Sequence, residues 1–361
     1  MERTKIYLAK KFSEYYANAK FEMPREFKRR EWAFVPLKSL PAFIMHRHIA
    51  FESEEQFRAY ILNTVPAHIY YSSAYYRYPN ADKMEEKNWI RADLIFDIDA
   101  DHLPLKTKNL ETALNVAKKQ IARLAELLER DFGINRKEMR IVFSGGRGYH
   151  LHVYGEDFTS LGSAERREIV DYLLLNQPSK VESTQWLRIS RCVAKKLAIE
   201  AKRGNLQKYG ITKKQAERIY ALLNRETIKR VASGDLQVFK GIGKRVERMI
   251  DAFVEQCKTK LAIYVDAPVT ADTRRLIRFP GSLHGKTGLK VTPVDFNEFE
   301  EFDPLADALA FGDEKVKIRT LSKVKIKMGG EEIRLKAGEK AIVPEYAAVF
   351  LICRGMALYG H

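Results

Sequence analysis

The sequence predicts an α+β fold interrupted by a helical subdomain. Strand-forming runs separated by Gly turns occur toward both ends, while almost everything from Trp186 to Cys257 has helical and basic character. A chain of 361 residues, 45% hydrophobic and 30% charged, can bury a sizeable core without a disulfide or metal staple. Strands on both sides of an all-helical stretch place residues 1–180 and 258–361 in one α/β domain, with a mixed or antiparallel sheet and flanking helices. Residues 181–257 form the helical insertion. No repeat with a period of about 20 to 50 residues and no low-complexity block stands out.

Taken in order, residues 1–20 read as a helix and Arg30–Phe51 as a mixed basic stretch. SEEQFRAYILNTV (53–65) reads as a second helix, with Ser53 as N-cap and Gln56 completing a capping box. Strand formers dominate from Ile69 to Asp99, and Ala113–Asp131 has helical spacing. Arg140–Ser144 and Tyr149–Tyr154 flank Gly-Gly-Arg-Gly as a hairpin, and Ser163–Leu175 is helical. After the insertion, strand character returns at Leu261–Val265, and VKIRTL, KVKIKMG and EEIRLKAGEKAIV read as short strands with Gly turns.

The 63 Lys+Arg against 47 Asp+Glu leave a net charge of +16, which calls for a polyanionic partner. Nucleic acid is the usual one for a basic protein, with an anionic membrane surface as the rival. No apolar run approaches the roughly 20 residues of a membrane-spanning helix, and MERTKIYLAKKF lacks the apolar segment of a secretory signal. A cytoplasmic or nuclear protein without membrane attachment is expected. Cys192, Cys257 and Cys353 are far apart and form no CxxC pair, so the simplest reading is three reduced thiols.

Three motifs carry chemistry. In LIFDIDAD (94–101), strand alternation projects Asp97 and Asp99 from one face, about 6–7 Å apart at Cα, with Phe96 and Ile98 facing the core. Paired carboxylates at a strand end suit divalent Mg²⁺ or Mn²⁺. A DxD is equally a solvated strand end or a set of caps, and Asp93 and Asp101 fit that description. In FSGGRGYHLHV (143–153), small residues let backbone amides close on an anion, Arg147 offers a fork and Ser144 a hydroxyl, which describes a triphosphate cradle. His150 and His152 share a strand face. In IYVDAPVTADTRRLIRFPGSLHGKTGL (263–289), Asp266 ends an apolar run as a third carboxylate, followed by Arg278, Ser282, His284 and Lys286. Asp272 reads as a helix cap there, and Arg274 and Arg275 as a solvated face.

In this order the three blocks resemble the signature blocks of the archaeal and eukaryotic DNA primase small, catalytic subunit, with details similar to archaeal members. REWAF (30–34) and IYYSSAYYRY (69–78) extend the resemblance over most of the chain. It implies the primase catalytic (prim) fold and template-directed synthesis of short primers on single-stranded DNA from NTPs or dNTPs. It also implies a heterodimer with the primase large subunit. By position, the family's catalytic, metal-holding aspartates fall on Asp97, Asp99 and Asp266, with two Mg²⁺ or Mn²⁺ ions. Its nucleotide contacts fall on Ser144, Arg147, His150, Arg278 and His284. Gly146 stands where other members carry a second basic side chain. Many relatives place a Cys/His zinc stem between the first two blocks, but this interval holds only His102, so no zinc is expected. The stretch from His102 to Glu111 should be a plain connection.

Two weaker features remain. Tyr70, Tyr71, Tyr75, Tyr76 and Tyr78 are candidates for base stacking, against the plainer reading of core aromatics. FKGIGKRVERMI (239–250) resembles the hairpin of a helix-hairpin-helix motif, whose Gly-Ile-Gly (241–243) would meet a phosphate, although such a turn is also a plain connection. The rivals to primer synthesis are a metal-dependent DxD glycosyltransferase, disfavoured by the charge and the third aspartate, and a catalytically weak DNA-binding subunit of the same fold.

Overall fold

A computed structural model describes residues 2–101, 103, 109–176 and 183–360. From the N-terminus come α1 (Glu2–Asn18), β1 (Trp32–Pro36), β2 (His46–Ile49), α2 (Glu54–Thr64), β3 (Pro66–Ser72), β4 (Ala74–Tyr76), β5 (Trp89–Ala92) and β6 (Leu94–Asp99). They are followed by α3 (Leu110–Phe132), β7 (Met139–Phe143), β8 (Gly148–Val153), α4 (Glu156–Thr159) and α5 (Ser163–Leu174). Helices α6 (Thr184–Lys202), α7 (Lys213–Leu222), α8 (Arg225–Ala232) and α9 (Lys244–Leu261) come next. Then follow α10 (Ala267–Ala271), β9 (Leu276–Arg278), β10 (Thr292–Val294), α11 (Pro304–Asp307), β11 (Lys315–Thr320) and β12 (Val324–Met328). The chain closes with β13 (Glu331–Leu335), β14 (Lys340–Pro344), α12 (Glu345–Cys353) and β15 (Ala357–Tyr359).

The chain divides into two compact units, Met1–Arg167 with Val265–His361, and Glu168–Tyr264. The second is wider at both ends than the expected 181–257, because Leu175 and Ala262 belong to its core and Ile263 N–H bonds Leu173 O. The first unit is an α+β assembly whose strands pair antiparallel throughout the described residues. Two four-stranded sheets matter for the site, in the orders β2-β1-β3-β9 and β10-β7-β8-β6.

Local chemistry explains the elements nearest the site. Asn109 caps α3 by accepting the Thr112 amide, and Gly133 ends it in the left-handed conformation at φ 69°. Leu114, Ala117, Ile121, Leu124 and Leu128 form its buried stripe, which packs on β8 and β6. Ser53 caps α2 as expected, but the Gln56 side chain accepts the amide of Glu52 and not that of Ser53, so the box is only half closed. The stretch from His102 to Glu111 lies mostly outside the described residues.

Several expectations change. Leu261–Val265 is not a strand: α9 continues through Leu261, and the chain then runs extended without a ladder partner. After the expected C-terminal strands comes a helix that was not expected, α12, whose EYAAVFLIC is buried almost throughout. A helix enclosed on all sides shows no amphipathic period in its sequence. Tyr71, Tyr75 and Tyr76 are core residues, which leaves Tyr70 and Tyr78 of the cluster with exposed surface. Asp93 is no cap: it is fully buried against Arg30.

The thiols also depart from the reduced reading. Cys192 on α6 and Cys257 on α9 are joined as a disulfide with Cα atoms 5.9 Å apart, because the two helices pack together although 65 residues separate the cysteines. Cys353 is the free cysteine, its thiol pushed up to about 12 by burial. Closing a loop of that size is worth about 4 kcal/mol in the chain-entropy account. Alkylation of denatured, unreduced protein should therefore label one thiol per chain, and three after reduction, with Cys192→Ser lowering the melting temperature. Three labels before reduction would show that the bridge does not form.

Candidate active site

Strand β6 brings Asp97 and Asp99 to the edge of its sheet. Its register on β8 sets Asp97 opposite His150 and Asp99 opposite Gly148, so Asp97 and His150 share a face, with Asp97 Oδ1 3.8 Å from His150 Nε2. Gly148 is required by this pairing, since a Cβ there would lie 2.3 Å from Ile98 O. Asp266 arrives from the far side of the sequence, and its backbone N–H donates to Asp97 O at 2.8 Å. It ends no strand as expected, but is the N-cap of α10, where its Oδ1 accepts the Val269 amide.

The glycine hairpin and the third block meet directly. Gly145 takes φ 73°, and a Cβ on it would lie 2.8 Å from His284 Cβ. Thr287 Oγ1 donates to Gly145 O at 2.6 Å and lies 3.3 Å from His284 Nδ1. Ser144 Oγ accepts the Gly146 amide inside the turn, and Arg147 is held through Nη1 by Asp101 Oδ1 at 2.6 Å. Arg278 ends β9, its guanidinium 5.1 Å from the Tyr70 ring centre.

Two residues that the sequence reading passed over belong here. His68, on β3, accepts from Arg278 Nη1 at 2.7 Å. Because arginine only donates, His68 is deprotonated at Nδ1 and carries its proton on Nε2. His68 and His284 meet edge to face with ring centres 5.0 Å apart. Arg275, read as solvated, is exposed yet close enough to help depress His150 and to lower Asp97. Ser282 is structural, donating to Phe279 O, and Asp272 accepts the Arg274 amide and does not cap an N-terminus.

Electrostatically the site has two strained halves. Burial, then the charges of Asp99 and Asp266, push the Asp97 carboxyl up to about 7. Burial, then Arg278, hold the imidazoles neutral: His150 is lowered to about 3, His68 to about 2 and His284 well below its usual range. The Asp97–His150 approach is therefore not an ion pair. Among the described residues the Asp97 carboxyl takes no hydrogen bond, while Asp99 Oδ1 takes the Asp101 amide. Three hard carboxylates short of positive charge fit a divalent cation. Among the described residues, no three His, Cys, Asp or Glu side chains close tightly around one point, so a cation would have to draw them in.

A family model described as the DNA primase small subunit matches residues 96–296, which spans every site residue expected from the sequence but not His68. The chain is 52% identical over 356 residues to the DNA primase small subunit PriS of Archaeoglobus fulgidus, with 99% of both chains covered. It is 39% identical over 390 residues to that of Methanococcoides burtonii, again covering 99% of both. It is also 39% identical over 410 residues to that of Methanosarcina barkeri, covering 99% of this chain and 97% of the other.

The raised carboxyl has a measurable consequence. An acid whose folded pKa lies above its unfolded value destabilises the fold at high pH, and the penalty shrinks as pH falls through the folded value. In metal-free buffer, Asp97→Asn should melt higher than the parent at pH 8, and the gap should narrow below pH 7. Calorimetry at both pH values checks this; a variant that melts lower at pH 8 would show that Asp97 is not strained.

Proposed function

The chain belongs to the DNA primase small subunit family, and from that premise we propose that it is the catalytic subunit that synthesises short primers on single-stranded DNA from nucleoside triphosphates. The 3′-hydroxyl of a bound nucleotide or growing primer attacks the α-phosphate of the incoming triphosphate, and pyrophosphate leaves. The observation that carries this reading is the set of three carboxylates, from β6 and the start of α10, facing a neutral-histidine and arginine wall. Such a surface complements a triphosphate carried with divalent cations, and not an uncharged substrate.

In this proposal Asp97, Asp99 and Asp266 hold two Mg²⁺ or Mn²⁺ ions. Bound there, the ions would supply activation of the attacking oxygen and neutralisation of the phosphates. The protein's own contribution is orientation. Arg278, with one N–H committed to His68, has further N–H groups for phosphate oxygens, and its planar fork fixes their direction. Arg147 exchanges Asp101 for phosphate when nucleotide arrives. The Thr287 hydroxyl proton is taken by Gly145 O, so His284 donates from Nδ1 to Thr287 and presents Nε2 to the hairpin. Holding an anionic oxygen at Nε2 then requires a proton there, which couples triphosphate binding to proton uptake. His150, neutral and paired across from Asp97, keeps a second positive charge out of the carboxylate pocket.

We extend the proposal to a heterodimer with a primase large subunit and to a cytoplasmic setting. No helix among the described residues is long and apolar enough to cross a membrane. No structural zinc is proposed, because two of the three cysteines are bonded to each other and the third has a buried thiol.

Primer synthesis on a single-stranded template, with ribonucleotide or deoxyribonucleotide pools and with or without a large subunit, tests the reading. Asp97→Ala, Asp99→Ala or Asp266→Ala should abolish product while template binding persists; near-parental product from folded Asp99→Ala would overturn the carboxylate assignment. Arg278→Ala should raise the nucleotide KM roughly 10- to 100-fold, the size of a lost charge-assisted hydrogen bond. Arg278→Lys should recover only part of this, and an unchanged KM would make Arg278 a structural partner of His68 alone.

A further inference from the structure

The helical unit contains a repeat that the sequence reading did not find. GNLQKYGITKK (204–214) and GDLQVFKGIGKR (234–245) share Gly-Asx-Leu-Gln at a spacing of 30 and Gly-Ile at a spacing of 31. One inserted residue, Lys240, breaks the register and hides the period. The backbone repeats as well. In each copy a positive-φ glycine (Gly204 at 66°, Gly234 at 105°) precedes a short 3₁₀ turn, and a second one (Gly210 at 82°, Gly241 at 85°) follows it. Each copy then enters a long helix, α7 or α9.

The two copies meet. A Cβ on Gly243, in the second hairpin, would lie 2.7 Å from the Gln215 amide nitrogen of α7. Between them opens a cavity of about 530 Å³, lined by Thr212, Lys214, Gln215, Arg218, Lys244 and Arg245. Four of the six lining residues are cations, Lys214 and Arg218 on α7 and Lys244 and Arg245 on α9, and none is a carboxylate. All four are exposed, and none makes an ion pair among the described residues. Three other cations of this unit do make ion pairs, Arg203 with Glu200, Arg230 with Asp235 and Lys258 with Glu255. Four mutually repelling charges around one hollow, without a counter-charge, mark a seat for an anion.

We infer that this cavity binds the phosphodiester backbone of DNA, as a contact separate from the carboxylate site. The lining carries no aromatic face on which a base could stack, so the contact is with phosphates and independent of sequence. The four side chains supply the affinity, and the amide ends of α7 and α9 add partial positive charge. This inference rests on the reading of the chain as a DNA-templated enzyme.

The test uses the full chain with Lys214, Arg218, Lys244 and Arg245 all changed to Ala, and binding of a labelled oligo-dT strand followed by anisotropy between about 50 and 200 mM salt. A control variant removes four exposed lysines elsewhere, Lys323, Lys325, Lys327 and Lys340. The cavity variant should bind about tenfold more weakly or worse at the lower salt, and its log–log salt slope should fall by roughly 2 to 3, near 0.7 per lost phosphate contact. Its nucleotide KM should stay at the parental value, and the control should bind near the parental level. Parental affinity and slope in the folded cavity variant, or an equal loss in the control, would overturn the inference. Asp99→Ala separates the two readings: retained binding with lost synthesis supports both, whereas retained synthesis removes the carboxylate assignment and leaves the cavity result to stand or fall by itself.

Discussion

The site depends on one backbone hydrogen bond, from Asp266 N–H to Asp97 O. Strand β6 is the last strand of its sheet, with β8 on one side and open backbone on the other. An edge of that kind is satisfied by whatever chain is brought against it. Here the occupant is the start of α10, which also caps itself with the Asp266 carboxylate. The same contact that satisfies the edge therefore delivers a third carboxylate beside two others. The aspartates are brought together by the fold despite their repulsion, and Asp97 records the strain in its elevated pKa.

What holds β6 against that strain is a buried network at its base. Arg30 donates to Arg25 O, Ser72 O, Ser73 O and Asp93 Oδ2, and lies 3.5 Å from the Tyr75 ring centre. Arg166 reaches Ala92 O and Asp93 O, and the Tyr75 hydroxyl donates to Asp93 Oδ1. Between them the two guanidiniums make five hydrogen bonds to carbonyls and one carboxylate where β3, β5 and β6 converge. A buried pair of this type is a weak source of net stability, but losing either partner costs about 3–5 kcal/mol because the other is left uncompensated. Its value is positional: Asp93 lies four residues before Asp97 on the same extended run.

Much of this could be read in advance, and the gaps have physical causes. The DxD strand, the glycine hairpin and the histidines beside it follow from period-2 alternation and turn chemistry, which are local properties. His68 was passed over because its role comes from Arg278, 210 residues away, and Arg275 because nothing in an exposed arginine reveals a carboxylate in range. Asp93 and Asp97 look alike in sequence as carboxylates in a strand run. Burial against Arg30 makes one structural, and burial beside Asp99 and Asp266 makes the other strained. Helix α12 hid because total enclosure erases periodicity, the disulfide because its cysteines meet only through helix packing, and the hairpin repeat because one inserted residue defeats a fixed spacing.

The two halves of the site also explain each other. A carboxyl raised as Asp97 is holds a cation poorly if it must first lose a proton, and neutral histidines beside Arg278 hold an anion poorly if they must first gain one. Each half is frustrated by like charge within itself, Asp97 by Asp99 and Asp266, and His284 by Arg278 and Lys286. A ligand carrying positive charge to the first half and negative charge to the second relieves both at once, and the proton that Asp97 sheds is of the kind that His284 takes up. On the proposed reading, binding of a cation–triphosphate complex is therefore cooperative between the halves. A cation alone or a triphosphate alone meets a site still strained on its other side.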